Sequence, residues 1–265
     1  TAMVGDGAND ALALKKSDLG IAMFEGAPAT RQVASIILTN NSFTALPGGI
    51  ELADSIIKNA EIFASVFFSF SFTGFFFFLW VSALGYAFPL TPLNMTLVNY
   101  FTIGFPSLLI SYWTIRPAGK AVAAHAGNFL RKVLPFVVVS SVLQAVALAC
   151  VFLISDESLR IAPSNFLIVL ASLIFGFVFF LFVPGVFRGK LAASEARELF
   201  LLAVFEAILL PVALRVPFVL RFFDLNIPTI SFETSLWLLL IFSVYGLFQY
   251  VLARWFSREQ KKESS

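Results

Sequence analysis

Six long apolar stretches constrain this chain more than anything else in it, at about 62–88, 93–115, 133–155, 163–187, 199–220 and 235–255. A helix needs about 20 residues to cross the hydrocarbon of a bilayer. The first four stretches contain no Lys, Arg, Asp or Glu. Uninterrupted apolar runs of this length must close their own backbone hydrogen bonds as helices. The expected fold is therefore an all-α membrane bundle of six transmembrane helices. Composition agrees: 59% of residues are hydrophobic and 13% charged, against roughly 45–50% and 25% in soluble domains. The 33 Phe residues fit side chains that face lipid. A net charge of +2 is too small to suggest a nucleic-acid partner. A single cysteine, Cys150, and a single histidine, His125, exclude an intrachain disulfide and a cage of nitrogen and sulfur metal ligands.

The loop charges orient the bundle. Arg116, Lys120, Arg131 and Lys132 lie between spans 2 and 3, and Arg188, Lys190 and Arg197 between spans 4 and 5. Arg254, Arg258, Lys261 and Lys262 close span 6. The opposite loops hold only Arg160 and Arg221. The positive-inside rule puts the N-terminal segment and the C-terminus in the cytoplasm, as an even number of spans requires. A multi-pass plasma-membrane protein with lipid as a partner is expected.

Residues 1–60 read as α/β sequence. Strands are expected at 1–4, 19–23 and 35–39, helices at 10–16 and 28–34, and a turn at Asn40-Asn41-Ser42. This divides the chain into an α/β piece (1–42), a stalk helix (43–61), the membrane domain (62–256) and a short tail (257–265). The start at Thr1, without a signal peptide, suggests the C-terminal part of a longer protein.

The α/β piece opens with Val4-Gly5-Asp6-Gly7-Ala8-Asn9-Asp10, then Ala13-Leu14-Lys15-Lys16 and Gly20-Ile21-Ala22-Met23. Asp6 should sit at the C-terminal tip of a strand, where α/β sheets place their sites. Gly5 and Gly7 allow a sharp turn and leave room for a phosphate and a metal. Mg²⁺ takes hard oxygen ligands, few of them from protein, so Asp6 fits as a direct ligand. Asn9 and Asp10 can reach the same pocket, holding waters or phosphoryl oxygens. Such a site works by positioning and charge neutralisation. A bare Gly-Asp-Gly is also ordinary surface-turn chemistry.

The longer string resembles the hinge motif of P-type cation-transporting ATPases, and six following spans are similar to the membrane half of their calcium and sodium/potassium branch. The resemblance implies that residues 1–42 are the end of a HAD-like phosphorylation domain. It makes Asp6 the Mg²⁺ ligand and sets Asn9 and Asp10 beside an aspartyl-phosphate, with Gly5 and Gly7 in the phosphate loop. The phosphorylated aspartate and the ATP site then lie outside this chain, in the rest of the same protein. Residues 43–60 become the central stalk.

Spans 1 and 2 resemble the fifth and sixth helices of those pumps. Cation pumps carry Asn, Thr and Asp at the places of Asn99, Thr102 and Ile103, so one acid is lost. Ser71 and Gly74 stand where calcium pumps carry Asn and Glu. Ser69, Ser71, Thr73, Asn94, Asn99, Thr102 and Ser107 are then the neutral donors, with Asn99, Thr102, Ser71, Thr73 and Ser69 the transported-ion candidates. Helix packing explains hydroxyl residues equally well. Pro106 breaks a backbone hydrogen bond and frees a carbonyl that an ion can use. Glu206 stands alone in span 5, as a partner for a neighbouring polar group, an interfacial acid or an auxiliary ion acid. Arg215, about 13 Å further along the helix, is too far to pair with it.

Three readings of the missing acids stay open: an acid from a helix outside the chain, a monovalent cargo, or a lipid. The expected function is an ATP-driven, Mg²⁺-dependent cation pump, calcium favoured. A lipid-translocating relative and a six-helix channel or secondary transporter are the alternatives.

Overall fold

The computed structural model describes residues 1–115, 129–159, 165–189, 191, 193–225, 227–228 and 230–263. Arg116, Lys120, His125, Arg160 and Lys190 lie outside them. The chain divides into two compact units, Thr1–Ala53 and Asp54–Ser265.

In the first unit, β1 (Ala2–Gly5), β2 (Leu19–Met23) and β3 (Ile36–Leu38) form a parallel sheet in the order β1-β2-β3. Val4 pairs with Ile21, and Ile21 with Ile36. The crossovers are α1 (Ala11–Lys16) and α2 (Pro28–Val33). Leu14 of α1, Ile21 and Ala22 of β2 and Leu38 of β3 are its buried hydrophobic residues. Asn41 takes a positive φ of 54° and its Oδ1 accepts the Glu25 N–H at 3.0 Å, which fixes the turn after β3.

The second unit is helical. α3 (Ala45–Ala83) has its residues up to Ala53 in the first unit, and α4 (Pro92–Asn99), a π-turn (Tyr100–Gly104) and α5 (Phe105–Ile115) follow. Next come α6 (Phe129–Leu159), α7 (Asn165–Phe187), α8 (Ala193–Ala213), α9 (Pro217–Phe222) and α10 (Phe232–Glu263). Apolar on every side, α7 packs against α6, α10 and α4. Phe175 of α7 lies 4.4 Å from the Tyr245 ring of α10, whose hydroxyl donates to the Phe175 carbonyl at 3.1 Å. The Phe-rich run of α3 is split: Phe67, Phe75 and Phe78 are exposed, while Phe77 is buried against Phe88 and Phe152.

Among the described residues, five helical segments are long and apolar enough to cross a membrane: Ala45–Ala83, Pro92–Trp113, Phe129–Ser155, Asn165–Phe187 and Phe232–Gln260. This is a multi-pass membrane protein. The expected fifth span, 199–220, departs most from a single apolar helix. α8 carries Glu195, Arg197, Glu198 and Glu206 and stops at Ala213. Pro217 begins α9, and the preceding Val216 is extended (φ −85°, ψ 115°), because the proline ring crowds a helical neighbour. Span 1 also stops short of its expected end at 88. Gly85 takes φ 81°, and the Gly85 and Tyr86 N–H groups turn back to the Ser82 and Val81 carbonyls at 3.0 and 3.2 Å, a left-handed cap that a side chain disfavours. At the other end, α10 runs through 257–263, expected as a tail.

Gly85→Ala should therefore destabilise the bundle by about 1 kcal/mol, the cost of a left-handed alanine. Thermal unfolding of the purified protein in detergent checks it, and an unchanged midpoint would contradict the capping role.

Candidate functional site

The loop after β1 is built around a close backbone approach. A Cβ on Gly5 would lie 2.6 Å from the Asp10 Cβ, so only glycine fits beneath that side chain. Asp10 is half-buried, and its Oδ2 accepts the Gly7 N–H at 3.1 Å while its own N–H donates to the Gly7 carbonyl at 3.0 Å. Asp10 thus braces the loop with one oxygen. Gly7 has an ordinary φ of −89°, so the turn does not need its freedom.

Asp6 is the first residue past the C-terminal end of β1. It is exposed, and its carboxylate accepts no hydrogen bond among the described residues; Asn9 is exposed as well. The loop after β2, which the sequence pattern does not connect to the motif, packs on Asp6: the Ala27 N–H donates to the Asp6 carbonyl at 2.7 Å, and a Cβ on Gly26 would stand 2.8 Å from that oxygen. The Gly26-Ala27-Pro28 string before α2 is the available signal. One open carboxylate, an amide and a braced second acid suit an ion that keeps most of its shell as water or phosphate, as Mg²⁺ does. Among the described residues there is no group of three His, Cys, Asp or Glu side chains able to cage a metal.

A second polar group lies inside the bundle. Ser69 and Thr73, four residues apart on α3, share one face and donate to Gln144 Oε1 of α6 at 3.5 and 3.2 Å. Thr102 in the π-turn donates to the Val98 carbonyl at 2.8 Å, and Ser172 of α7 to the Ile168 carbonyl at 2.7 Å. These five side chains are buried and line a cavity of about 40 Å³ with Val66, Phe77, Val98, Leu148, Gly176 and Phe179 among the apolar walls. Gly176 makes the approach of α7 possible, since a Cβ there would stand 2.4 Å from Thr102 Cγ2. Gln144 is not among the residues expected from sequence; an amide in a run free of charges is its only mark.

Ser71 and Asn99 face away. Both are exposed, and the Ser71 hydroxyl donates to the Phe67 carbonyl of its own helix at 3.1 Å. Asn94 instead caps α4, its Oδ1 accepting the Thr91 N–H at 3.0 Å. The π-turn, closed by the Phe105 N–H on the Tyr100 carbonyl, precedes Pro106, which has no N–H to offer Thr102. Glu206 is buried on α8, its Oε1 without a partner among the described residues, and it does not line the cavity.

A third cluster ties helix ends together. The buried Arg188 guanidinium pairs with Glu195, donates to Ser55 Oγ at 3.1 Å and stacks 5.3 Å over the Trp113 ring. The Trp113 indole N–H donates to Glu198 Oε2 at 2.7 Å.

No protein-family model matches the chain. It is 38% identical over 120 residues to the calcium-transporting ATPase CtpE of Mycobacterium bovis, covering 42% of this chain and 15% of that protein. CtpE of Mycolicibacterium smegmatis is 30% identical over 172 residues, 61% of this chain and 21% of that protein. A probable cation-transporting ATPase, exp7, of Streptococcus pneumoniae is 35% identical over 143 residues, 50% of this chain and 17% of that protein. Part of the chain is thus similar to calcium- and cation-transporting P-type ATPases, and the chain spans about a fifth or less of their length.

Arg188→Ala leaves the Glu195 carboxylate buried without this cation and should destabilise the fold by about 3 kcal/mol. Thermal unfolding in detergent reads the loss; a midpoint equal to that of the unmodified protein would contradict a structural role for the pair.

Proposed function

We propose that this chain is the C-terminal part of an ATP-driven pump of the P-type ATPase family, which passes through an aspartyl-phosphate and moves a cation, calcium favoured, by alternating access. The observation that carries this reading is the exposed Asp6 carboxylate, without a hydrogen-bond partner among the described residues, at the C-terminal end of a parallel strand, beside a braced Asp10. Similarity to proteins named calcium-transporting ATPases supports it.

In this reading the first unit is the last piece of a HAD-like phosphorylation domain. Asp6 would hold Mg²⁺, with Asn9 and Asp10 lining the phosphate pocket, and the ion would neutralise phosphoryl charge when bound. Gly5 and Gly26 keep the backbone close enough to aim Asp6. The nucleophilic aspartate and the ATP site belong to other parts of the same protein. We assign α3 the role of stalk, because it begins in the first unit and ends in the second. The cytoplasmic placement of both termini rests on the loop charges.

For the cargo, Thr102, Ser69 and Thr73 form the inner donor group. Ser71 and Asn99 face outward. An amide in contact with lipid is costly, so we assign Asn99 to a calcium site completed by an acid outside this chain. The described cavity lining holds no carboxylate, which favours one alternative, a lipid-translocating member of the same family.

ATP-driven ⁴⁵Ca²⁺ uptake by the complete protein in proteoliposomes tests the reading. Uptake is expected, with Asp6→Ala lowering it at least a hundredfold. Uptake within twofold of the unmodified protein in that variant would overturn the role of Asp6. ATPase activity stimulated by phospholipid and indifferent to Ca²⁺ would favour lipid transport.

A further inference from the structure

We propose that the basic end of α10 is a docking site for the headgroup of an anionic phospholipid, held by Arg254 and Arg258, with Tyr250 orienting Arg254. The lipid is bound there and not carried, so the proposal stands apart from the pump reading and requires only that α10 crosses the bilayer.

Two tryptophans mark depth along α10. Trp237 and Trp255 are both exposed and stand eighteen residues apart, about 27 Å along a helix at 1.5 Å per residue. That is close to the hydrocarbon thickness of a bilayer, and Trp favours its two interfaces. Between them Leu240, Val244, Leu247 and Val251 are exposed at alternating spacings of four and three residues, which makes one lipid-facing stripe. Arg254 and Arg258 continue the same spacing and are exposed as well. The stripe therefore turns from aliphatic to cationic at the depth of the lipid phosphates, where an acyl chain laid along it ends in its headgroup.

The first arginine is held in place. The Tyr250 ring packs 5.9 Å from the Phe182 ring of α7, its hydroxyl accepts from Arg254 Nη1 at 3.0 Å, and the guanidinium carbon lies 5.9 Å from the ring centre. Guanidinium binds phosphate through paired N–H groups, and no Asp or Glu pairs with Arg254 or Arg258 among the described residues. Glu259 is half-buried and lies about 100° round the helix from Arg258. Arg131 of α6 reaches the same depth without sharing the site. Gln249 donates to Ser140 of α6 at 3.3 Å, and Phe256 packs on Phe136 at 5.4 Å, so α6 and α10 run antiparallel. Arg131 and Arg258 each stand nine residues from the Gln249–Ser140 contact, toward the same end. Nine residues are about two and a half turns, so each arginine points away from the other helix.

Trp255, next to Arg254, gives the readout, as the part of the fluorescence that Trp255→Phe removes. In nanodiscs holding the purified complete protein, phosphatidylglycerol with brominated acyl chains should quench it in preference to brominated phosphatidylcholine, by roughly fivefold for two cations at the interface. Arg254→Gln combined with Arg258→Gln, both on the exposed face, should bring the two lipids to equal quenching. Tyr250→Phe should lower the preference about twofold, because it removes the oxygen that aims Arg254. Arg131→Gln should keep the full preference, which a general attraction to basic residues at this depth would not. Equal quenching in the unmodified protein, a preference kept in the double variant or undiminished in Tyr250→Phe, or an equal loss in Arg131→Gln would overturn the proposal.

Discussion

Buried polar groups in this bundle must find partners within the protein, and the arrangement of its helices depends on that requirement. Lipid is as apolar as leucine, so apolar contact alone does not set helix register in a membrane. The fixed points are few. Gln144 of α6 accepts two hydroxyls from α3, Ser141 of α6 donates to the Ser69 carbonyl at 3.4 Å, and Gln249 of α10 donates to Ser140 at 3.3 Å. Each such contact is worth about 0.6 kcal/mol in comparable membrane proteins, yet together they favour one rotation of α3, α6 and α10 against one another. Gly176 adds a steric condition, since no other residue lets α7 come so near Thr102.

The same requirement divides the core. One apolar cluster includes Phe77, Val98, Leu148 and Phe175; the other includes Val66, Trp113, Phe136 and Phe179. The polar cavity takes walls from both, so it lies at their junction. At the ends of the helices, charge replaces hydroxyls. Arg188 is shared by Glu195, Ser55 and Trp113, and guanidinium suits this because its planar fork can bond and stack at once.

Long apolar runs are legible in the sequence because hydrophobic length is a local property. So are the three parallel strands, whose flanking glycines and short apolar runs are local as well. What does not show are features set by neighbours distant in sequence. The run 199–220 looks continuous, but the helix ends at Ala213 ahead of Pro217, and α8 begins at Ala193 and so takes in Glu195, Arg197 and Glu198 beside Glu206, which makes it more polar than the run. Ser69, Thr73 and Thr102 can be named as donors, but not that Ser71 faces the other way with Asn99 while Gln144 joins them. Gln144 is 71 residues from Thr73, and only the packing of α6 on α3 makes them partners. In the β1 loop the acids are visible from the string itself, whereas the packing of Asp10 against Gly5, its bracing of Gly7 and the contact from Ala27 require the folded unit.

In the proposed reading, the open carboxylate at the strand tip would serve a phosphorylation whose nucleophile lies elsewhere in the protein, and the helical bundle would carry the ion. Labelling the complete protein with [γ-³²P]ATP and mapping the labelled peptide tests it most directly. The account predicts an acid-stable, hydroxylamine-sensitive phosphoenzyme that requires Mg²⁺ and Asp6, with the label on an aspartate outside these 265 residues. A label within them, or one formed equally well without Asp6, would contradict it.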